Sequence, residues 1–301
     1  MSSRSLLPAY ISVFSANVIY GINYALAKGI MPDFMQPRAI IFIRVSGSFI
    51  MFLIAQMIFV KERINRKDLP LFIFCSLFGI AINQIMFFEG LNLTTSINSA
   101  IIMTLTPILV MVFSAVMIKE RITILKLIGI TSGAAGAAMI ILNRGDLSFN
   151  SDTLTGNIFT VINAASFGVY LVISKPLMVK YHPLTVMTWT FGIGLIMVTP
   201  VTILPFINTD FYKIPTDIWY SIGYVVVFAT FLGYLFYNLA IRKLSATSTS
   251  SFVYLQPLFA GILAFFILGE KPGLVHLFSL LLIAGGVYIV NRHESKRQSV
   301  R

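Results

Sequence analysis

Ten mostly apolar stretches recur along the chain, at 8–28, 38–60, 70–91, 96–118, 124–143, 155–175, 184–206, 217–241, 248–268 and 274–291. Each is near the length of about 20 residues that a helix needs to cross a bilayer core. The breaks between them carry turn or charge signals, among them Met31-Pro32-Asp33, Lys61-Glu62-Arg63, Lys119-Glu120-Arg121, Tyr181-His182-Pro183 and Glu270-Lys271-Pro272. The pattern predicts an all-α integral membrane protein with ten transmembrane helices. The first stretch holds Asn17, Tyr20 and Asn23 and has no clear small-residue cleavage site. It is therefore expected to be a retained helix and not a signal peptide.

Composition agrees. Only 11% of the 301 residues are charged and the mean hydropathy is +0.87, whereas soluble domains carry roughly 25% charged residues. So few charges could not dress the surface of a soluble enzyme of this size. Cys75 is the sole cysteine, and His182, His276 and His293 are scattered. Neither a disulfide nor a zinc site is expected, and no cofactor.

The net charge of +11 raises nucleic acid as a partner, but the cations sit in short interhelical segments with no basic arm. They read instead as topology signals. With a cytoplasmic N-terminus, Lys28, Arg38, Arg144, Lys213 and Lys271 fall outside and sixteen cations fall inside; Arg44 lies within a span and completes the 22. That asymmetry places both termini in the cytoplasm. Short loops and no long targeting segment point to a multi-pass protein of a plasma membrane, the bacterial inner membrane.

The two halves resemble each other. At an offset of 150 residues Phe78 matches Phe228, Pro107 matches Pro257, Glu120 matches Glu270 and Gly136 matches Gly286. Near the start of each half the offset is 147, with Gly21 matching Gly168 and Lys28 matching Lys175. Five spans per half is an odd number, so the second copy enters the membrane from the opposite side. Residues 1–147 and 148–292 are thus expected to be two inverted five-helix repeats, an architecture of secondary transporters, with 293–301 as a basic cytoplasmic tail.

The run Pro107, Lys119-Glu120-Arg121-Ile122-Thr123, Gly129, Gly136 resembles the EamA-type repeat of the drug/metabolite transporter superfamily, and so does Pro257, Gly269-Glu270-Lys271, Gly286. The second copy departs in Ser279, where the first has Gly129, and in Pro272. The resemblance covers nearly the whole chain and implies the ten-helix fold. It also implies export of a small metabolite, with a broad range of cargo that includes amino acids.

Pro107 and Pro257 lie at matching midplane depths, and each removes an intrahelical hydrogen bond, to the carbonyls of Met103 and Val253. Paired interruptions of this kind point to a central site, with Thr104, Thr106 and Gln256 at hand to face the cargo or the freed backbone. Polar and aromatic stripes run along the surrounding spans. They are Asn17, Tyr20 and Tyr24 on the first; Asn83, Gln84 and Phe87 on the third; Asn98 on the fourth; Asn163, Phe167 and Tyr170 on the sixth; Tyr234, Tyr237 and Asn238 on the eighth; and Tyr254 on the ninth. Polar groups facing lipid are costly, so these stripes are expected to face an interior substrate cavity. The alternative for any one of them is helix–helix contact.

Three ionisable residues lie toward the outer side: Lys28, Arg44 and Glu89. Arg44 is expected either to pair with Glu89, as a gate or a static ion pair, or to bind a cargo carboxylate; Lys28 and Glu89 have the further option of snorkelling to the interface. Glu120 and Glu270 read as helix-end or topology-fixing ion pairs. Gly129, Gly133, Gly136, Gly285 and Gly286 mark the fifth and tenth spans as packing helices or a homodimer contact.

The leading function is a secondary carrier of a small amphipathic metabolite, an amino acid first, working by alternating access in the lipid bilayer. The same fold would also serve a multidrug, nucleoside or vitamin carrier. An enzyme would need intramembrane Asp pairs, a Ser/His couple or a His-rich site, none of which the spans contain. A channel would need a charged filter.

Overall fold

The computed structural model describes residues 6–142, 151–259 and 274–298. They form ten helical stretches among the described residues, numbered here in chain order. These are α1 (Leu7–Ile30), α2 (Pro37–Phe59), α3 (Arg66–Leu93), α4 (Ser96–Met103 and Thr106–Met117) and α5 (Ile124–Leu142). Then follow α6 (Ser151–Lys180), α7 (Pro183–Ile207), α8 (Thr216–Lys243), α9 (Ala246–Ser251, a 3₁₀ turn at Phe252–Tyr254, and 255–259) and α10 (Leu274–Gln298). Five of them, α2, α3, α6, α7 and α8, are long and apolar enough to cross a membrane by length and composition. α1 is as long but carries Asn17, Tyr20, Asn23, Tyr24 and Lys28 on its inward side, which lowers its hydropathy.

The packing has the symmetry of two copies. α1 lies along α8 as α6 lies along α3, α2 pairs with α7, and α5 pairs with α10. Both α3 and α8 relax into π-helical turns, at Leu77–Ala81 and Val225–Leu232. These two turns overlap at the 150-residue offset, and such bulges often mark functional sites.

Two lysines repeat the relation at atomic detail. Lys28 donates from Nζ to the carbonyls of Leu91, Asn92 and Thr94 at the end of α3, at 2.8, 2.9 and 3.0 Å. Lys175 donates to the carbonyls of Ile241, Arg242 and Leu244 at the end of α8. All three acceptors are 150 residues apart. A helix end leaves its last carbonyls unpaired and partially negative, and a cation there answers both. Lys28 therefore caps the end of α3. Lys28→Met and Lys175→Met are each expected to cost about 2 kcal/mol, since hydrogen bonds to charged groups are lost. Equal falls in unfolding midpoint in detergent would support the cap, and a loss below about 0.5 kcal/mol for either would sink it.

α5 and α10 meet along their glycines. A Cβ added at Gly129 would stand 2.8 Å from the Gly286 carbonyl oxygen, and one at Gly136 would stand 2.8 Å from that of Ser279. Gly133 is covered by the Tyr254 ring, whereas Gly285 meets nothing within 4 Å. The glycine face is thus used within the chain. Glu120 pairs with Lys126 beyond the end of α4 and accepts from Thr247 at 3.4 Å; Glu270 lies outside the described residues. At the α6–α7 corner His182 Nδ1 accepts the Leu184 N–H at 3.2 Å. Burial, and then the Arg242 guanidinium, hold this imidazole below its usual range against the opposing Glu62.

Candidate functional site

α1, α2, α3, α6 and α8 converge on a central cavity, closed along one side by Met103 of α4 and Gln256 of α9. The walls are aromatic and amide: Tyr20, Asn23 and Tyr24 from α1, Asn83, Gln84 and Phe87 from α3, Asn163 and Phe167 from α6, and Tyr234 from α8. Arg44 from α2 completes it. The free volume is about 60 Å³, room for a few waters and less than an amino acid needs.

The amides hold one another. Asn163 Nδ2 donates to the Asn83 carbonyl at 2.8 Å and joins α6 to α3. Gln84 Nε2 donates to Tyr234 Oη and, at 3.1 Å, to Asn83 Oδ1. The Tyr234 hydroxyl lies 3.1 Å from both the Gly79 carbonyl and Asn83 Oδ1, so it serves a carbonyl within the π turn of α3. Four buried atoms on the cavity have no hydrogen-bond partner among the described residues: Tyr20 Oη, Asn23 Oδ1, Gln84 Oε1 and Asn163 Oδ1. Buried polar atoms are normally satisfied, so these are points where a ligand or water would be held.

Arg44 is 3% exposed. Its Nε donates to Thr230 Oγ1 at 2.9 Å, and its guanidinium lies 4.8 Å from the Phe88 ring centroid. The Thr230 hydroxyl in turn donates to the Val225 carbonyl at 2.6 Å across the π turn of α8. No carboxylate lies within ion-pair distance of Arg44 among the described residues. The expected Arg44–Glu89 pair is not formed: Glu89 pairs with Arg38 at 2.6 Å. Arg38 is six residues nearer the start of α2, roughly 9 Å along the axis, level with Glu89 near the end of α3. Arg44 lies deeper, its guanidinium directed to Thr230 and the Phe88 ring.

The remaining expected residues fall around the cavity. Asn17 stands behind it, its Oδ1 accepting from Gln256 Nε2 at 2.8 Å. Tyr170 and Asn238 bond to each other at 2.8 Å, and the Tyr237 hydroxyl donates to the Thr249 carbonyl at 3.1 Å, its ring against Tyr20 and Phe167. These three form a layer outside the lining. Asn98 donates to Thr94 Oγ1 at 3.3 Å, Tyr254 packs on Gly133, and Thr106 is buried away from the cavity. Pro107 opens the second segment of α4 after the break at 104–105, and Pro257 follows the 3₁₀ turn of α9. Three participants, Asn23, Met103 and Thr230, were not among the expected residues. Asn23 follows Tyr20 by three residues, and the helical spacing could have found it. Met103 and Thr230 lie in apolar runs and give no such signal.

The pattern of the EamA-like transporter family matches residues 7–142 and again 154–292. The chain is similar to an uncharacterized transporter, YyaM, of Bacillus subtilis, at 24% identity over 97% of this chain and 98% of that one. It is also similar to a probable terminal-alkyne amino-acid exporter of Streptantibioticus cattleyicolor, at 27% identity over 79% and 78%. A protein crystal structure superposes with a TM-score of 0.77 over 98% of this chain and 99% of that one, at 16% identity, a likeness of fold. The chain thus belongs to the EamA-like transporter family, a multi-pass membrane transporter and not an enzyme.

Proposed function

We propose that this protein is a secondary carrier that exports a small amino acid or similar amphipathic metabolite by alternating access. The observation that carries this reading is the buried Arg44 without a carboxylate partner on a cavity lined by amides and aromatic rings. A buried cation in a membrane protein is costly and tends to mark a substrate path. Arginine offers a planar fork that matches a carboxylate. The unpaired oxygens Asn23 Oδ1, Gln84 Oε1 and Asn163 Oδ1 are acceptors suited to an ammonium group. Tyr20, Tyr24, Phe87 and Phe167 supply apolar walls for the remainder. A cavity with a fixed cation disfavours cationic drugs.

In this reading the ten helices are ten spans in two inverted repeats, 1–147 and 148–292, with both termini and the tail 293–301 in the cytoplasm of a bacterial inner membrane. The matched π turns and the lysine caps support it. With about 60 Å³ free, the cavity would have to widen between α1, α3, α6 and α8 to admit an amino acid. The symmetric relation of the repeats lets one rock against the other. The export direction rests on the family likeness and on the name of the Streptantibioticus relative.

The test is counterflow in proteoliposomes preloaded with unlabelled amino acids, following entry of labelled ones. Saturable exchange of a few amino acids is expected. Silence across the panel with folded protein would remove amino acids as cargo and leave nucleosides and vitamins.

A further inference from the structure

A second concavity, of about 1280 Å³, lies on the periphery of the helix bundle, away from the central cavity. Its floor is apolar, with Leu53 and Met57 from α2 and Trp189 and Ile196 from α7. Met57 and Ile196 are 70% and 74% exposed. Both helices are long and apolar enough to cross a membrane, so this floor faces acyl chains. One end of the groove is formed by segment 60–66, which brings Lys61, Arg63 and Arg66 to its rim.

Neither acid near these cations forms an ion pair with them. Glu62, which also lines the groove, accepts the backbone N–H of His182 through Oε2 at 2.9 Å. Asp68 pairs with Lys180 and accepts from the Tyr181 hydroxyl. No ion pair reaches Lys61, Arg63 or Arg66 among the described residues. The segment itself is pinned, since Asn65 N–H donates to the Tyr181 hydroxyl at 2.9 Å. In the other repeat, the stretch 150 residues on carries Asp210, Lys213 and Asp217, and its one lysine pairs with Asp210 at 2.8 Å. The cation cluster thus belongs to the connection expected on the cytoplasmic side, where anionic lipid is met.

We propose that this groove binds an anionic glycerophospholipid, with its phosphate at Lys61, Arg63 and Arg66 and an acyl chain along Leu53, Met57, Trp189 and Ile196. Basic pockets between transmembrane helices at the membrane surface bind anionic head groups. Here the cations are held by a pinned segment directly above an apolar trough, so both halves of one lipid are met. The site joins α2 and α7, and α2 also carries Arg44, so the lipid would brace the helix that presents the cavity cation.

The test uses the full-length protein in a neutral detergent, titrated with dioleoylphosphatidylglycerol or dioleoylphosphatidylcholine, with lipid adducts resolved by native mass spectrometry. The glycerol lipid is expected to bind at least about tenfold more tightly than the choline lipid, and K61Q/R63Q/R66Q to lose about fivefold per cation. A control, K119Q/R121Q, neutralises cations away from the groove and should keep the preference. Leu53→Trp narrows the floor with the cations intact and should weaken both lipids. Four results would overturn the proposal: equal binding of the two lipids, a preference that survives the triple substitution, an equal loss in the control, or displacement of lipid by millimolar inorganic phosphate, which would indicate a free-anion site. If the triple variant does not fold, unchanged lipid affinity in Leu53→Trp overturns it.

Discussion

Replacing Arg44 with methionine is expected to abolish transport while leaving the protein at least as stable as before. The two effects have one cause. Arg44 is buried at 3% exposure with no carboxylate in reach among the described residues. Its charge is held by one threonine hydroxyl and one aromatic face. Removing a partner of a buried charge pair costs roughly 2–5 kcal/mol, so counterflow of a carboxylate-bearing cargo should fall by about 30-fold or more. Folding, by contrast, no longer has to desolvate a guanidinium. Apolar replacement of buried ionic groups is often neutral or stabilising by about 1–4 kcal/mol, and methionine keeps much of the stem that packs here. Arg44→Lys keeps the charge but not the fork, and partial activity is expected. The measurements are initial exchange rates at matched protein abundance and thermal unfolding in the same detergent. Wild-type exchange by the methionine variant would end the cargo-anchor role. A sharp fall in stability together with lost transport would make Arg44 a structural residue instead.

The second large effect separates two neighbouring glycines. A methyl at Gly286 would stand 2.5 Å from the Gly129 carbonyl oxygen and 2.7 Å from the Gly133 amide nitrogen, both backbone atoms. Backbone cannot rotate away as a side chain can, so α5 and α10 would have to separate. Overpacking a tight contact costs about 1–3 kcal/mol, and Gly286→Ala should lie at the upper end. At Gly285 a Cβ meets nothing within 4 Å, and Gly285→Ala should stay within about 0.5 kcal/mol of wild type. Unfolding midpoints of the two variants in one detergent decide the matter. Equal losses would mean that α5 and α10 are not in contact as described. If Gly285→Ala alone reduced a solution dimer, that glycine would belong to a homodimer face.

Much of the fold is legible in the chain because a bilayer imposes its demands locally. Each crossing needs a long apolar run, and every backbone group in it must be satisfied within its own helix. α2, α3, α6, α7 and α8 can therefore be read one at a time, with no knowledge of their neighbours. The repeat was legible for a related reason. Lys28 and Lys175 stand at equivalent places because they meet equivalent helix ends.

The cavity was legible as a set of helix faces. Tyr20, Tyr24, Asn83, Gln84, Phe87, Asn163, Phe167, Tyr234 and Gln256 all reach it, as does Arg44. Asn17, Tyr170, Tyr237 and Asn238 share those faces but lie a layer behind. Helical periodicity gives the direction in which a residue points, and it carries no information on how deep the next helix sits. Asn238 and Tyr234 are one turn apart on α8, yet only Tyr234 lines the open space.

The apolar runs, their interruptions, the doubling and the polar stripes each depend on one helix at a time, and all of them are legible in the chain. Helix packing decides who meets whom. It gave Glu89 to Arg38 and left Arg44 without a carboxylate. It also made Thr230, from an apolar run, the residue that holds the cavity cation, and set Gly286 against backbone while Gly285 stayed open. The physical reason is range. Hydropathy and backbone hydrogen bonding act within a few residues along a helix, whereas an ion pair or a close packing contact depends on the depth and rotation of two helices. Those quantities are fixed only when all the helices pack together.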